Sequence, residues 1–478
     1  MSFYNNKEDK RIDDNSKILD TVILRFVKLL NVLMMTGVFA FGWYKFNANT
    51  IAAPYFRRGN WAIVFIFLVL YASFVRVYDA FMVSYYRIAA LVYSQTLSFI
   101  AADAVMFIVN WLLKKYVPYI PGYLLVIIMQ FGVVCVWSKL THDWYFQTFK
   151  PKKTFIVWDM RKGIDDLIDS YGLSKKFNVL GECNVKECLK NLSILDDMDA
   201  VFLSGIHSHD RNIIIKYCID HNITSFIIPR IGDVLMSGAK RMHMFHLTIL
   251  RLDRYNPPPE YFFTKRLLDI IFAAIALIIC SPIMLVTAVL IKKYDKGPVF
   301  YRQCRLTKDG KKFNIIKFRS MKVDAEKDGI ARLSTGDCDD RVTPIGRKIR
   351  ALRIDELPQL LNILRGDMSI VGPRPERPEI AKEYEKEMPE FKLRLQAKCG
   401  LTGYAQVYGQ YNSSPYDKLQ MDLMYISNPS IAQDFQICLA TLKILFMKDS
   451  TAGVDEGQIT AYSEIESEPE NRNKNQFK

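Results

Sequence analysis

What is scarce in this sequence is informative first. The 9 cysteines are an odd number, scattered from Cys135 to Cys438 without a C-x-x-C pair. That pattern excludes a disulfide scaffold and fits reduced thiols in a cytosol-facing chain. Histidine is sparse, at 6 residues. Its one dense group, His207-Ser208-His209-Asp210, lacks further ligand residues and reads as a solvated turn after a strand rather than a metal site. No cleavable signal peptide is expected, because residues 1–20 are polar and the apolar run after them is long. Mean hydropathy is +0.03 with 50% hydrophobic residues, too apolar for a disordered chain. With 24% charged residues as well, the apolar content must be concentrated in one part. The net charge of +14 leaves nucleic acid, anionic lipid and phosphate-rich substrates as partner classes.

That concentration is at the front. Apolar stretches at about 21–43, 61–80, 88–113 and 117–140 are each close to the roughly 20 residues a helix needs to cross hydrocarbon. Trp43, Trp61, Trp111, Tyr116 and Tyr119 fall near their ends, where aromatic belts sit. Lys7, Lys10, Arg11 and Lys17 precede the first stretch, and Lys150, Lys152 and Lys153 follow the fourth. The reading is four transmembrane helices over 21–140, with a cytoplasmic segment at 1–20. Arg57, Arg58, Lys114 and Lys115 run against the charge bias. Asp103, inside the third stretch, is either paired with a neighbouring helix or functional.

From 151 to 250 short β-like runs (154–158, 179–180, 200–203, 225–228) alternate with helical stretches, which argues a small Rossmann-like parallel α/β domain. Dinucleotide sites place G-x-G-x-x-G after the first strand. Here Trp158-Asp159-Met160-Arg161-Lys162-Gly163 holds one glycine, so a regulatory or assembly role is expected instead. Asn256-Pro257-Pro258-Pro259 reads as a stiff linker.

A fifth apolar stretch, 260–293, is broken by Ser281-Pro282. Proline inside a helix removes a hydrogen bond and kinks the chain. Lys265 and Arg266 precede the stretch and Lys292 and Lys293 follow it, so both ends prefer the cytoplasmic face. A re-entrant helix, bent at Ser281-Pro282, satisfies both facts, with Ser281 beside the freed backbone groups. The alternative is a kinked fifth span, which would place everything downstream outside the cell.

The segment after it is cationic, with Arg302, Arg305, Lys308, Lys311, Lys312, Lys317, Arg319 and Lys322. Directly after a membrane anchor, a lipid phosphate and a nucleotide substrate explain that charge, and no nucleic-acid partner is expected. Further on, Pro358 suits the first turn of a helix with Asp355 near its N-cap. Taken alone, an aspartate there is usually a cap. Its neighbours point to chemistry, since a carboxylate can attack phosphorus. Glu356 offers a hard oxygen to Mg²⁺, and Arg350, Arg353 and Arg374 can neutralise phosphate oxygens. Pro373 and Pro375 bracket Arg374 and fix its backbone.

The run Asp355-Glu356-Leu-Pro-Gln359, Asn362, Gly366-Asp367-Met368-Ser369 and Gly372-Pro373-Arg374-Pro375 resembles the bacterial polyprenyl-phosphate sugar-1-phosphate transferases, which start capsule, exopolysaccharide or O-antigen repeat units. Matching pieces occur in order over about 260–450: Lys265-Arg266-Leu-Leu-Asp269, Ser281-Pro282, Gly297-Pro298-Val-Phe-Tyr-Arg302-Gln303, Lys317-Phe-Arg319-Ser-Met321 and Gly400-Leu-Thr402-Gly403-Tyr-Ala-Gln406-Val. The front half resembles the large polytopic subgroup.

The resemblance implies a membrane protein in three parts: a four-helix transmembrane bundle, the Rossmann-like domain, and a mixed α/β catalytic domain (294–450) preceded by the re-entrant helix. It implies a bacterial inner-membrane enzyme with its catalytic domain on the cytoplasmic face. Asp355 would attack the β-phosphorus of a UDP-sugar, release UMP, and pass the phosphosugar to undecaprenyl phosphate. Glu356 would hold Mg²⁺. Lys317, Arg350 and Arg374, with Arg319, Arg353, Gln359, Pro373 and Pro375, would form the phosphate and nucleotide site. A homo-oligomer and contact with membrane lipid are also expected. The rivals are a membrane glycosyltransferase that releases UDP and a non-catalytic assembly protein of polysaccharide export. Two positions depart from the family pattern, Thr307, near a usual glycine, and Cys399, at a usual proline. An interfacial amphipathic helix is expected over 435–447 and a disordered polar tail over 451–478.

Overall fold

The computed structural model describes residues 2–55, 58–255, 257–323, 325, 341–409 and 414–445, the first 20 by backbone alone. Arg57, Asn256, Cys338 and the 451–478 tail lie outside the described residues. The chain divides into two compact units, 1–228 and 229–478.

The first unit opens with α1 (Ser2–Gly42), which runs into a π-helical turn at Trp43–Asn47, then α2 (Arg58–Val77), α3 (Ile88–Lys114) and α4 (Ile120–Thr148). Each is long and apolar enough to cross a membrane, as is one helix of the second unit. α1 packs on α2 and α4, and α3 closes the ring against both. Their shared interior holds Met35, Phe39, Phe67, Phe99 and Val134, with the Phe39 and Phe67 rings stacked 4.1 Å apart. Outer faces carry bare apolar side chains such as Phe26, Phe65, Ile108 and Ile128, as lipid-facing helices do. Some polar groups inside pair across helices. Asn31 donates to Gln95 and accepts from Tyr71.

Trp43 is not a belt residue: it is buried and donates to Asn60 Oδ1 at 2.9 Å. Lys114, one of the cations that run against the charge bias, is buried with its ammonium 3.0 Å from Asn47 Oδ1. Trp61, Trp111, Tyr116 and Tyr119 are exposed near helix ends, where belts belong. Asp103 is buried on α3, facing Gln130 of α4.

After the helices come β1 (Lys152–Trp158), α5 (Ile164–Ser170), β2 (Phe177–Asn184), α6 (Val185–Lys190), β3 (Ala200–Ser204), α7 (Ser208–Asp220) and β4 (Thr224–Ile228). The four strands form one parallel sheet in the order β2-β1-β3-β4. Helices cover both faces, so the central strands read as continuous apolar runs. His207 directly precedes α7 and His209 lies in its first turn, so the pair marks a helix start rather than an open turn. The sheet unit ends at Ile228, not near 250. The next helix, α8 (Ile231–Ser237), buries Ile231 and Val234 in the core of the second unit. The hairpin β5 (Lys240–Met244) and β6 (Leu247–Arg251) follows it.

The second unit is organised by α9 (Pro259–Asp295), an unbroken helix through Pro282. Proline at 282 cannot donate to the carbonyl of Ile278, and Ser281 Oγ donates to that same oxygen at 2.8 Å. Around α9 are the antiparallel pair β7 (Phe300–Leu306) and β8 (Lys312–Phe318), then α10 (Pro344–Ala351), α11 (Gln359–Arg365) and β9 (Ser369–Val371). After α12 (Pro378–Glu387), β10 (Gly400–Thr402) pairs in parallel with β9. α13 (Tyr404–Tyr408), α14 (Pro415–Ser427) and α15 (Ile431–Leu445) complete the unit. α15 takes in residues 435–445 of the expected amphipathic run and extends ahead of it, and residues 446 and 447 lie outside the described residues.

Both flanks of Pro282 dock on this one unit. On the early side Arg266 donates to the carbonyls of Ile363 and Leu364, closing the open end of α11. Asp269 accepts from Ile370 N, and Lys265 pairs with Asp434 at 2.9 Å. On the late side Ile291 packs with Phe318 and Ile349, and Asp295 holds Arg319. A straight helix of 37 residues is about 55 Å long, well beyond the ~30 Å of hydrocarbon.

Candidate active site

Asp355 and Glu356 do not cap a helix. They occupy a 3-10 turn, Ile354–Glu356, that precedes α11, and Pro358 directly precedes the first residue of α11. The turn follows Arg353, whose φ of +52° is left-handed without being glycine. Such strain survives only where the surroundings enforce it, and it clusters at functional sites. Leu360 and Ile363 anchor the following helix in the core with Ala273 of α9. Asp355 is thereby held 8% exposed.

Four cations converge on the pair. Lys317 comes from the end of β8 and sits 3.0 Å from Glu356 Oε1. Arg374 approaches the same oxygen at 3.3 Å from the loop after β9. Arg350, on the last turn of α10, acts on Asp355, and Arg353 acts on Glu356. Burial, then the charge of Glu356, push the Asp355 carboxyl up to about 6 against the pull of Lys317, Arg350 and Arg374. Burial acts the same way on Glu356, but Lys317, Arg374 and Arg353 outweigh it and hold that carboxyl well below its ordinary value. The two neighbours thus divide. Glu356 stays ionised, and Asp355 titrates close to neutrality. Cations gathered around two carboxylates suit a pyrophosphate group.

Of the other expected site residues, Gln359 is 3% exposed at the head of α11, and Pro373 and Pro375 flank Arg374 as anticipated. Arg319 is corrected. Its guanidinium is committed to Asp295 and to Pro298 O at 2.7 Å, so it ties the end of α9 to β8 rather than facing phosphate. Ser281 and Pro282 are exposed in mid-α9.

Asn362, whose role the motif did not reveal, braces the site. It is fully buried, accepts from Ile316 N at 3.0 Å, and donates to Asn314 O at 2.9 Å and to Asp367 Oδ2 at 3.2 Å. It thereby fixes α11, which follows the acidic pair, to β8, which carries Lys317. A polar amide between two apolar neighbours, Leu361 and Ile363, was the only sequence hint. Replacing Asn362 with alanine strands Ile316 N–H and Asn314 C=O and is expected to destabilise the protein by about 2–4 kcal/mol. Thermal unfolding of the detergent-solubilised protein checks this, and an unchanged Tm would remove the brace.

A small cleft opens beside Arg374, lined by Leu306, Thr307, Pro373, Glu376, Phe391 and Cys399 among others. Thr307 and Cys399, the two departures, touch there: Cys399 Sγ lies 3.3 Å from Thr307 Oγ1. Burial pushes the Cys399 thiol up to about 12, so it packs rather than reacts.

Comparison with known proteins bears on this arrangement. A family model for bacterial sugar transferases matches residues 260–448. A UDP-glucose:undecaprenyl-phosphate glucose-1-phosphate transferase of Caulobacter vibrioides is 40% identical over 191 residues, 39% of this chain and 71% of the relative. The chain belongs to the bacterial sugar transferase family. Other members extend the match. A UDP-N-acetylgalactosamine-undecaprenyl-phosphate N-acetylgalactosaminephosphotransferase of Aeromonas hydrophila is 39% identical over 48% of this chain, and the chain spans 53% of that relative's length. A UDP-galactose-lipid carrier transferase of Erwinia amylovora is 28% identical over 71% of this chain and 77% of its own. Within the family region lie the acidic pair, its four cations and all of α9 but Pro259.

Proposed function

We propose that this protein transfers a sugar 1-phosphate from a UDP-sugar to undecaprenyl phosphate by way of a phosphosugar-aspartate intermediate on Asp355. The observation that carries the reading is a buried carboxylate, Asp355, set among Lys317, Arg350 and Arg374 beside Glu356, whose Oε1 lies 3.0 Å from Lys317 and 3.3 Å from Arg374. A carboxylate oxygen of Asp355 attacks the β-phosphorus of the donor. The bond to the bridging oxygen breaks and UMP leaves with both bonding electrons. An oxygen of the polyprenyl phosphate then attacks the same phosphorus, and the aspartate departs as carboxylate. The product is the undecaprenyl diphosphate sugar that begins an exopolysaccharide, capsule or O-antigen unit.

Catalysis here is alignment and charge stabilisation. Lys317 and Arg374, fixed on Glu356, meet the donor phosphates. Arg350 keeps Asp355 reactive by favouring its ionised form. A covalent intermediate lets a water-soluble donor and a lipid acceptor use one site in turn. The site also fits Mg²⁺: Glu356 offers hard oxygen, and a cation there would offset the Glu356 charge, which adds to burial in raising Asp355. When bound with Glu356 and substrate phosphates, the ion would supply further neutralisation of the pyrophosphate.

The rest of the chain is read as a four-helix transmembrane bundle followed by a Rossmann-like domain, in the bacterial inner membrane with the catalytic unit in the cytoplasm. Docking of both flanks of Pro282 on one unit supports a re-entrant α9, since a spanning helix would part its ends by the thickness of the bilayer. Incubating membranes that contain the protein with undecaprenyl phosphate and a panel of UDP-sugars tests the reaction. UMP formation with one donor is expected. Release of UDP would instead indicate sugar transfer without phosphate, and no nucleotide release with any donor would leave a non-catalytic role.

A further inference from the structure

The loop that carries Arg374 has a constraint that its two prolines do not explain. Proline fixes φ but leaves ψ free, and it removes the N–H by which a loop could be tied down. At Pro373 and Pro375 only the carbonyls remain as handles. Four consecutive ones are taken by four separate donors. Gly400 N donates to Pro373 O at 3.0 Å. Arg394 donates to Arg374 O at 2.9 Å. Arg305 donates to Pro375 O at 3.1 Å, and Leu306 N donates to Glu376 O at 3.0 Å. Two of these donors are backbone groups and the other two are arginines.

The two arginines do not serve as phosphate ligands. Arg394 is 6% exposed, lies 2.7 Å from Asp422 and 3.9 Å from Glu376, and stacks over Phe391 at 4.9 Å. Arg305 lies 3.4 Å from Glu376 and donates to Gln303 Oε1 at 2.7 Å. Two arginines therefore face two carboxylates, and their charge is balanced inside the fold. What each still offers is a directed N–H to the loop. The planar fork of arginine can hold a carboxylate and a carbonyl together, which a lysine ammonium does less rigidly.

We propose that Arg305 and Arg394 are positioning residues that hold the root of Arg374, so that its half-exposed guanidinium meets the transferring phosphates without reorganisation. The idea deepens the transferase reading given above and rests on it for the role of Arg374. Displacement of a catalytic group by about 1 Å can cost on the order of 100-fold in rate.

The test is a double-mutant cycle. Arg394→Met is combined with Asp422→Leu, so that no buried charge is left unpaired. This pair is made with Arg374 intact and with Arg374→Ala. Arg305→Gln is carried through the same cycle as a second handle, which keeps the test open if the core pair fails to fold. With Arg374 intact, kcat for UMP release should fall about 30-fold while KM for the UDP-sugar moves less than about threefold. With Arg374→Ala, the same changes should add less than about twofold. Losses that multiply in both backgrounds, or full activity with Arg374 intact, would overturn the proposal. Amide hydrogen exchange at Arg374 and Glu376 needs no turnover. It should accelerate at least about tenfold in the Arg394→Met/Asp422→Leu protein, and unchanged protection would also overturn the clamp. If the unaltered protein releases no UMP from any donor, the transferase reading fails, and the exchange result still decides whether the arginines hold the loop.

Discussion

Asp355→Asn is expected to reduce turnover by at least about 10⁴-fold, with a fold as stable as the parent or more so. Asparagine keeps the size and shape of the side chain but cannot form the acyl phosphate. The stability half of the expectation follows from linkage. The folded pKa of Asp355 is raised to about 6, above its unfolded value. Protonation therefore stabilises the fold, a contribution gained as pH falls through 6 and absent above it. At pH 7 to 8 the ionised form costs on the order of 3 kcal/mol, and asparagine does not carry that cost. The Tm of Asp355→Asn should exceed that of the parent at pH 8, with the difference closing towards pH 4. A variant that retains more than a few per cent of parental turnover would dispose of the nucleophile. A lower Tm at pH 8 would mean that Asp355 supports the fold instead of straining it.

Glu356→Gln separates the two acids from the other side. Turnover at the optimum should drop by about 10²–10³-fold, because Lys317 and Arg374 lose the carboxylate that holds them. The pH dependence carries more information. In the parent, kcat/KM should fall about tenfold per unit below an apparent pKa of about 6, where Asp355 becomes protonated. Removing the Glu356 charge removes one of the two causes that raise Asp355, so the acid limb should move to lower pH. A limb that stays in place or moves upward would show that the carboxylates do not interact as described.

Much of the site could be read from local sequence. The acidic pair, Lys317, Arg350, Arg353 and the Pro-Arg-Pro loop all converge as their types and order suggested, since charge and turn chemistry are local properties. Partner choice over distance was not legible. Arg319 reads as one more cation in a basic run, and only the fold brings Asp295 beside it. Asn362 sits in a helical motif whose spacing says nothing about β8. Arg305 and Arg394 are ordinary cations in sequence, and their hold on successive carbonyls of one loop depends on strands and helices meeting.

The same division holds for the fold. The long apolar stretches were legible because one-dimensional length decides whether a helix can cross hydrocarbon. The place of Trp43 inside the helix ring was not, since a belt tryptophan and a buried one share the same position along the chain. The end of the sheet unit was misplaced for a related reason. α8 has the composition of another α/β helix, but its apolar face, Ile231 and Val234, meets Leu419 and Leu423 of the second unit.

The central claim is a bond between phosphorus and one carboxylate. Its most direct test is to incubate the purified protein with the active UDP-sugar and no lipid acceptor, quench in acid, and map the adduct by peptide mass. One phosphosugar per chain is expected on Asp355, formed with one UMP and discharged when undecaprenyl phosphate is added. An adduct on any other residue, or turnover with no adduct and UDP as the released nucleotide, would contradict the account.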